Sequence, residues 1–396
     1  MKKIAIIGKG HAGSTIPLIR EFVLKGFAVD YYILSLGSVH DIEATDISFS
    51  TNKKGIVRIP ADNWRALYNY FGSNDSVNIF TINTPRPFEK VFILKHIVDL
   101  YRSLLIKSIC KIINKNRYQL VNIVGRYDVY DIIKYCSYLN SKTIVSLHEV
   151  CNHSAPDFTH PNKVLKYLFK KNKPIVVFSK KSYEDIISYS SVNPQLITQI
   201  NFGLFTSYKI FSNNYEMSLP DRYLLFIGRI TPYKGLPTLF DAVGNLSPFT
   251  KNTVKIVVAG GGNDECLERM NANDVFIVIN RFLKNEEIVE LIKRSDGVIC
   301  PYTSASQSGI PQTTYVFGKP VIATNVPGLN DVVKEGYNGF LFGVKDSLHL
   351  ANIIETIWNN PDLLNNLSHN IAEFEESYPL YSWSYISECY LRTFCC

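Results

Sequence analysis

Short apolar runs alternate with longer stretches of helical periodicity through the first half of the chain. Six of these runs predict buried strands: Ile4–Gly8, Val29–Leu34, Val77–Ile82, Leu120–Val124, Thr143–Leu147 and Ile175–Phe178. Strands that are apolar on both faces and separated by helices are typical of a parallel, doubly wound sheet. The pattern therefore predicts an α/β domain that binds ligands at the carboxyl ends of its strands.

The second half repeats this pattern after a polar segment at about residues 207–220. Five further runs predict a second parallel sheet: Tyr223–Ile227, Val254–Ala259, Val275–Ile279, Gly297–Cys300 and Val321–Thr324. A chain of 396 residues is also too long for one typical hydrophobic core. We therefore predict an α/β protein with two Rossmann-like, doubly wound domains.

Composition narrows the class of protein. Hydrophobic residues make up 46% of the chain and charged residues 19%, which indicates a globular protein rather than a disordered one. No apolar run is long enough to predict a transmembrane helix, and the run after Lys3 is too short for a signal peptide. The eight cysteines form no C-x-x-C pair and no zinc-type grouping. We therefore expect free thiols in a cytoplasmic protein, with no metal site.

Positive charge is concentrated in the first half of the chain. Residues 1–200 contain 27 Lys and Arg against 15 Asp and Glu, whereas residues 201–396 contain 15 against 20. Basic side chains recur through 89–117 and 163–173. They indicate either solvated helix faces or docking on the inner, anionic surface of a membrane. We expect no binding to nucleic acid, because no recognised nucleic-acid motif accompanies the charge.

The first turn, Gly8–Gly13, matches G-x-G-x-x-G between a strand and a helix. A dinucleotide site would also need a carboxylate at the end of the second strand, where residues 33–37 contain none. Asp30 lies at the opposite end of that strand. An NAD-dependent oxidoreductase is therefore the weakest hypothesis.

The most informative stretch is 300–324, CPYTSASQSGIPQTTYVFGKPVIAT. A buried strand ends at Pro301, a loop of small polar residues follows, Pro311 opens a short helix and Gly318 ends it. A loop of this kind presents free backbone N–H groups and the positive end of a helix, which suits a phosphate. The alternative is an ordinary strand-to-helix turn without a ligand.

Two cations follow the strand at 223–227. The guanidinium of Arg229 offers a planar fork of donors and the ammonium of Lys234 offers a point charge. Both suit a diphosphate leaving group, whereas the alternative is a surface loop with two unrelated cations.

The order of strand, PY, QSG, IP, helix and FGKPVIAT resembles the donor-binding segment of family-4 glycosyltransferases, which are nucleotide-sugar-dependent enzymes of the GT-B fold. The resemblance continues at 226–229, 234–236, 326–333 and 336–341, and it is looser in the N-terminal half. It implies two domains facing across a cleft, with an acceptor domain at 1–205 and a donor domain at 206–378. A C-terminal helix at 379–396 is expected to pack back on the first domain.

The resemblance also implies an activity. The expected enzyme is a retaining, metal-independent glycosyltransferase that moves a sugar from a nucleotide diphosphate to a hydroxyl of a glycan or lipid-linked acceptor in surface polysaccharide biosynthesis. The nucleotide-sugar is its substrate, and no cofactor is expected. The expected catalytic residues are Arg229, Lys234 and His148, the last because it follows a buried strand where relatives carry a histidine. The expected donor-binding residues are Gly10, Gly13, Gly228, Arg281, Phe282, Gln307, Ser308, Gly309 and Thr314.

The chain departs from the family pattern at a pair of glutamates that many relatives use to bind the donor sugar and ribose. The matching positions hold Ala305 or Ser306 and Thr313 or Thr314. The polar side chains available to replace these glutamates are Gln307, Ser308 and Thr314. A catalytically weak, nucleotide-sugar-binding subunit of a glycan-assembly complex is therefore the principal alternative.

Overall fold

A computed structural model describes residues 2–8, 10–35, 55–72, 75–84, 92–126, 129–150, 161–212, 215–305 and 307–395. The chain divides into two compact units. The first unit comprises Met1–Phe178, Ser182–Asn201 and Trp383–Cys396, and the second comprises Ser179–Lys181 and Phe202–Ser382. The boundaries expected from the sequence, after 205 and after 378, lie a few residues from these positions.

The sheet of the first unit contains eight strands. They are β1 (Lys2–Gly8), β2 (Phe27–Ser35), β3 (Gly55–Arg58), β4 (Val77–Asn83), β5 (Leu120–Gly125), β6 (Thr143–Leu147), β7 (Ile175–Val177) and β8 (Ile197–Gln199). Their order is β3-β4-β2-β1-β5-β6-β7-β8, and every pair is parallel except the edge pair β3–β4. The six strands predicted from the first half are confirmed. The apolar pattern does not predict β3 and β8, because they are short and only partly buried.

The sheet of the second unit contains six strands. They are β9 (Leu224–Ile227), β10 (Ile256–Ala259), β11 (Phe276–Ile279), β12 (Gly297–Cys300), β13 (Val321–Thr324) and β14 (Gly339–Phe342). All neighbours are parallel, in the order β11-β10-β9-β12-β13-β14. The chain therefore proceeds from β9 to β10 on one side and reaches β12 on the other side of β9. Ligands of open α/β sheets bind beside such a reversal, at the carboxyl ends of the strands.

Helices connect the strands of both units. They are α1 (Ala12–Leu24), α2 (Arg65–Tyr70), α3 (Phe92–Asn114), α4 (Asp131–Tyr138), α5 (Lys163–Lys170), α6 (Lys180–Ile187), α7 (Leu236–Gly244), α8 (Pro248–Thr253), α9 (Leu267–Asn271), α10 (Asn285–Arg294), α11 (Ile310–Tyr315), α12 (Ser347–Trp358), α13 (Pro361–Ala372), α14 (Phe374–Ser377) and α15 (Trp383–Cys395). None of these described helices has both the length and the apolar character needed to cross a bilayer.

The C-terminal helix α15 belongs to the first unit, where it packs against α1. The ring of Tyr390 meets that of Phe22 edge-on, with centroids 6.2 Å apart. The Tyr390 hydroxyl shares a 2.8 Å hydrogen bond with Ser146 on β6, and Ser146 in turn donates to Asn122 on β5. The last helix thus completes the packing of strands that lie more than 240 residues earlier in the chain.

The segment between the two sheets is partly packed. Thr206–Phe211 forms a 3-10 helix in the second unit and buries Tyr208 and Phe211. The Lys293 ammonium on α10 donates to the carbonyl of Ser212, 3.2 Å away. The polar composition of 207–220 predicts a linker, but its aromatic residues fix the first part of it on the second unit.

Candidate active site

Two loops meet where the strand order of the second sheet reverses. One loop, 228–235, follows β9, and the other, 301–309, follows β12. The Thr303 backbone N–H donates to the carbonyl of Tyr233 at 2.8 Å, and the Lys234 ammonium lies 3.6 Å from the ring centroid of Tyr302. The fold therefore brings Lys234 into contact with the loop that the sequence assigns to phosphate binding.

Gly235 makes this close approach of the two loops possible. Its φ of +73° lies in the left-handed region, which favours glycine. A Cβ atom at this position would stand 1.8 Å from the carbonyl oxygen of Pro301. The glycine after Lys234 is therefore required both by the backbone conformation and by the neighbouring chain.

The ammonium of Lys234 lies in an unusual environment. It is half-buried between the rings of Tyr302 and Tyr233, whose centroids are 3.6 and 5.2 Å away. Burial lowers the pKa of Lys234 to about 8, Cys300 opposes this shift and the positive charge of Arg229 adds to it. Lys234 therefore changes between its charged and neutral forms within the pH range in which enzymes are commonly assayed.

Neither Arg229 nor Lys234 forms an ion pair with a carboxylate in the described ranges. Arg229 is exposed and lies near enough to Lys234 for their charges to repel each other. Two cations without a counter-ion at the carboxyl end of a sheet would both be stabilised by a bound anion.

The 301–309 loop ends in the short helix α11. The Ser308 hydroxyl accepts the backbone N–H of Ile310 at 3.3 Å, and Gly309 is the N-cap residue. Gly228 approaches the same helix, because a Cβ atom there would lie 3.9 Å from Ile310. Gly228 therefore lies next to the start of α11, and the roles of Gly228, Ser308 and Gly309 in donor binding stay predictions.

Two amide groups near this helix have buried atoms without a protein partner. Gln307 Nε2 and Gln312 Oε1 make no hydrogen bond within the described part of the chain. A buried polar atom without a partner costs free energy, so such atoms often satisfy a ligand or a water molecule. Gln312 is buried, with 4% of its surface exposed. The sequence pattern does not identify it as a candidate site residue.

Thr314 has a different position from the other candidates. Its side chain is fully buried, and its hydroxyl donates to the carbonyl of Ile310 at 2.8 Å. Thr313 forms the corresponding bond with Gly309 at 2.9 Å. The structure therefore does not bring the Thr314 hydroxyl to the surface of the loop, and its contact with a donor stays a prediction.

Arg281 and Phe282 follow β11, which is separated from β12 by β10 and β9. The guanidinium of Arg281 forms a bidentate ion pair with Glu287, with distances of 2.9 and 2.6 Å. The hydrogen bond from Arg281 lowers the pKa of the Glu287 carboxyl. Phe282 is 85% exposed. Arg281 already has a counter-ion, so of the two residues Phe282 is the one with a free contact surface.

A second cluster of candidates lies in the first unit, at the ends of β1 and β6. The His148 ring stacks on the His11 ring, with centroids 3.6 Å apart and an interplanar angle of 7°. Phe178 covers the other side of His148 at 4.5 Å. Burial lowers the pKa of His11 to about 4, and burial and the neighbouring His11 lower the pKa of His148 well below its usual value. Both rings are therefore neutral near pH 7.

Charged residues surround the histidine pair. Arg126 and Glu149, which follow β5 and β6, form an ion pair at 3.2 Å. Glu149 raises the pKa of His11, whereas Arg126 lowers it. The carboxylate therefore offsets part of the effect of burial on His11.

The glycines of the first turn lie beside the same pair. Gly10 is exposed and has a φ of +69°, and His11 follows it as the N-cap of α1 with a φ of 58°. Gly13 is buried in the first turn of α1.

The Asp30 carboxylate lies near the start of β2, whereas these glycines follow the end of β1. It accepts hydrogen bonds from Asn78 and from the hydroxyl of Tyr118. It is therefore not available to a dinucleotide ribose at the turn.

The described residues contain no group of three or more His, Cys, Asp and Glu side chains that could hold a metal ion. The pattern of the sequence also does not reveal two contacts of the site: the ring of Tyr302 under Lys234 and the ring of His11 on His148. Both residues lie two or three positions after the end of a strand, which is the signal that could have found them.

Residues 209–374 match the profile of the family described as Glycosyl transferases group 1. The match lies within the second unit, so this unit contains the part of the chain that resembles the family.

Similar proteins include glycosyltransferases named for a capsular polysaccharide and for an undecaprenol-linked glycan. The capsular polysaccharide biosynthesis glycosyltransferase CapM of Staphylococcus aureus is 27% identical over 216 residues, which are 50% of this chain and 55% of CapM. The GalNAc-alpha-(1->4)-GalNAc-alpha-(1->3)-diNAcBac-PP-undecaprenol alpha-1,4-N-acetyl-D-galactosaminyltransferase of Campylobacter jejuni is 20% identical over 240 residues, 59% of this chain and 66% of that protein. The chain thus spans about a third to two thirds of the length of the curated relatives it matches.

Solved structures resemble the chain over its whole length. HepE of Anabaena, in complex with UDP and glucose, superposes with a TM-score of 0.65 at 16% identity, and the match covers 100% of both chains. At 16% identity, this structural similarity shows only that the two chains share a fold. The chain therefore has the GT-B fold, with an α/β domain in each unit.

Proposed function

We propose that this chain is a retaining glycosyltransferase that moves a sugar from a nucleotide-diphosphate donor to a hydroxyl of a glycan or lipid-linked acceptor in surface polysaccharide assembly. The observation that carries the proposal is the pair of cations, Arg229 and Lys234, without an ion-pair partner in the described chain. They lie where the strand order of the second sheet reverses, at the place where such sheets bind ligands. The relatives named for capsular polysaccharide and for an undecaprenol diphosphate support the choice of acceptor, and the UDP complex of HepE supports the donor.

The proposed chemistry is the breaking of the bond between the anomeric carbon and the diphosphate oxygen. The acceptor hydroxyl oxygen forms the new bond on the same face of the sugar, and its proton passes to the departing diphosphate. Arg229 and Lys234 stabilise the negative charge that develops on the leaving group. The two cations supply this stabilisation themselves, so the proposal includes no metal ion and no cofactor.

His148 has a different role in this proposal from a general acid. Its pKa lies well below the usual value because it is buried, so the ring is neutral when the donor binds. A neutral ring next to the donor sugar can accept or donate a hydrogen bond and can exclude water. Gly10 and Gly13, at the turn beside it, are proposed to allow close approach of the donor or the acceptor.

The remaining donor contacts are proposed from their positions. Gly228, Gln307, Ser308 and Gly309 belong to the two loops that follow β9 and β12, and they are proposed to bind the diphosphate and the sugar. Phe282 would lie against the nucleobase, with Arg281 held beside it by Glu287. Thr314 could contribute only if its bond to Ile310 were broken.

The basic segments at 89–117 and 163–173 support a peripheral location on an anionic membrane surface. A lipid-linked acceptor would be presented at such a surface, and basic side chains near it gain free energy from anionic headgroups. Residues 89–91 lie outside the described residues. The described part of each segment forms an exposed helix face, which is treated further below.

One observation favours the second candidate, a nucleotide-sugar-binding subunit with weak or no catalysis. The threonines at the position of one missing glutamate direct their hydroxyls back to helix carbonyls. They therefore offer no group to the donor in the described conformation. A protein of this kind would bind the donor and not release its nucleotide.

The test is a panel of UDP-, GDP- and dTDP-sugars with two readouts, the thermal shift of the protein and the slow release of nucleotide. We expect one class of donor to stabilise the protein and to be hydrolysed. Stabilisation without release, even with candidate acceptors present, would identify the binding subunit instead. Saturable binding of NADH that UDP does not displace would contradict both and support an oxidoreductase.

A further inference from the structure

The outer face of α3 is apolar although the helix is already packed on its inner face. Ile106, Ile109 and Ile113 are buried in the core of the first unit. On the opposite side four large apolar residues are exposed: Ile97 by 58%, Leu100 by 63%, Tyr101 by 43% and Leu104 by 59%. Their spacing of three and four residues places them in a single stripe along two turns of the helix. These four side chains are not part of the buried core of the unit.

The same stripe becomes basic toward the C-terminal end of α3. Lys107, Lys111 and Lys115 are exposed, and Ile112 between them is 49% exposed. The Lys107 ammonium leans toward the ring of Tyr138 on α4, 5.9 Å from its centroid. The outer face of α3 thus combines an apolar half with a cationic half.

The neighbouring helix layer continues the positive charge without the apolar residues. α4 lies next to α3 and α5 next to α4, where the Ser137 and Tyr167 hydroxyls share a 2.8 Å hydrogen bond. On α5, Lys163, Lys166 and Lys170 are exposed, whereas the apolar residues of that helix are buried. The face of α5 is therefore an ordinary amphipathic helix face, and the two basic segments of the sequence differ in kind.

Acidic residues do little to neutralise this surface. Asp131 on α4 is engaged with Arg102 and Lys134, and Asp99 on α3 is half-buried. Within the described residues Lys107, Lys111 and Lys115 form no ion pair. An apolar stripe bordered by such lysines matches the two layers of an anionic bilayer surface, the acyl boundary and the headgroups. A protein partner would need a complementary acidic rim around an apolar groove, which is a narrower requirement.

We infer that the outer face of α3 lies in the interface of an anionic lipid bilayer and inserts Ile97, Leu100, Tyr101 and Leu104 at the level of the acyl chains. Lys107, Lys111 and Lys115 then lie at the headgroups, and α5 contributes charge without insertion. Because both halves belong to one stripe, the N-terminal half of α3 lies deeper in the membrane than its C-terminal half. This inference rests on the proposed membrane location of the protein and adds that apolar insertion, not charge alone, holds it there.

The experiment is flotation of the intact protein with vesicles of phosphatidylcholine alone or of equal parts phosphatidylcholine and phosphatidylglycerol. The insertion variant is Leu100→Gln/Leu104→Gln, since glutamine keeps the helix propensity of leucine. The matched control is Leu348→Gln on α12, because Leu348 is 61% exposed and lies in the other unit. The charge variants are Lys107→Gln/Lys111→Gln on α3 and Lys163→Gln/Lys166→Gln on α5.

We expect the wild type and Leu348→Gln to float with the anionic vesicles. The loss of two leucines should weaken the partition coefficient roughly tenfold or more, from the apolar area that they would bury. This loss should persist at high salt, whereas the effect of the lysine variants should shrink as salt screens their charge. Equal binding of wild type and insertion variant would overturn the inference in favour of docking by charge alone.

Two further results would also overturn it. No binding of the wild type to either vesicle would exclude a lipid occupant, and a change from dimer to monomer in the insertion variant would show that a second copy covers the face. Donor-induced thermal shift, measured without vesicles, separates this inference from the proposed function. The insertion variant should keep that shift, and absence of the shift in the wild type would count against the transferase alone.

Discussion

At the scale of single residues, Lys234 gives the sharpest prediction. Its pKa is lowered to about 8 by burial, so the free protein loses the ammonium charge as the pH rises through that value. The diphosphate binds the charged form, so kcat/KM for the donor should fall on the alkaline side, with an apparent pKa of about 8. The measurement is the pH profile of kcat/KM for nucleotide release.

Lys234→Arg provides the comparison for this profile. A guanidinium stays charged throughout the range, so the variant should lose the alkaline fall even if its activity at pH 7 is reduced. An unchanged alkaline limb in Lys234→Arg would show that another group titrates there.

The stacked histidines predict a loss of stability in acid. Both folded pKa values lie below the usual value of 6.5, and that of His11 is about 4. The unfolded chain therefore takes up protons that the folded chain excludes, and the free energy of unfolding should fall as the pH drops from 6.5 toward 4. His11→Asn should reduce this fall, because asparagine tolerates the left-handed conformation and does not titrate.

The check is urea unfolding at several pH values, with His349→Asn as the control for an exposed histidine. His11 faces Glu149, Arg126 and His148, so the measured slope reports the whole cluster. An identical slope in wild type and His11→Asn would contradict the assignment.

Part of the candidate site could be predicted at this scale. The type and position of Arg229 and Lys234 after a buried strand were sufficient to predict a cationic site. The ring of Tyr302 beneath the ammonium could not be predicted, since it depends on two strands that are distant in sequence being adjacent in the sheet. The direction in which the Thr314 side chain points could not be predicted either, because the sequence does not define how a short helix is rotated about its axis.

At the scale of elements, the contact between the two loops of the second unit can be tested through Gly235. Gly235→Ala would have a left-handed φ and a Cβ atom 1.8 Å from the Pro301 carbonyl, so the loops must separate. We expect a loss of about 1–3 kcal/mol of stability or more, together with weaker donor binding. The measurement is denaturant unfolding and donor-induced thermal shift.

Gly336→Ala is the matched control for that substitution. Gly336 has a similar φ of +68°, and a Cβ atom there would meet nothing within 4 Å. The variant should show only the cost of the backbone conformation and should bind the donor normally. If the two variants behaved alike, the close packing at Pro301 would have no consequence for the site.

The elements themselves were predicted where burial is complete. Strands such as β9 and β12 are continuous apolar runs, so their pattern is unambiguous. β3, β8 and β14 are short and partly exposed, so their sequences resemble loops. The periodicity also indicated a helix at α3, but it did not reveal the exposed apolar stripe, because apolar residues occur on both faces of that helix.

At the scale of the whole molecule, α15 is predicted to be an integral part of the first unit. Tyr390 is 1% exposed and joins α15 to β6 through Ser146. Tyr390→Ala should destabilise this unit by about 3–5 kcal/mol through the cavity it leaves. Tyr390→Phe should cost only about 1 kcal/mol, since Ser146 keeps its bond to Asn122.

Calorimetry and denaturant unfolding can measure both substitutions. Equal and small effects would mean that the last helix is only loosely attached.

The two-sheet α/β class could be predicted from the sequence because local apolar runs encode the strands of each sheet. The return of residues 383–395 to the first unit was implied only by the family resemblance, since no local pattern encodes a contact between Ser146 and Tyr390.

The central claim is that Arg229 and Lys234 stabilise a departing nucleoside diphosphate. The most direct measurement is the rate of nucleotide release by Arg229→Ala and Lys234→Ala with the donor that stabilises the wild type. Lys251→Ala is the control, since Lys251 is an exposed lysine on α8. We expect each site variant to lose on the order of a hundredfold or more in kcat, whereas the control keeps the wild-type rate. Wild-type rates in both site variants would contradict the account.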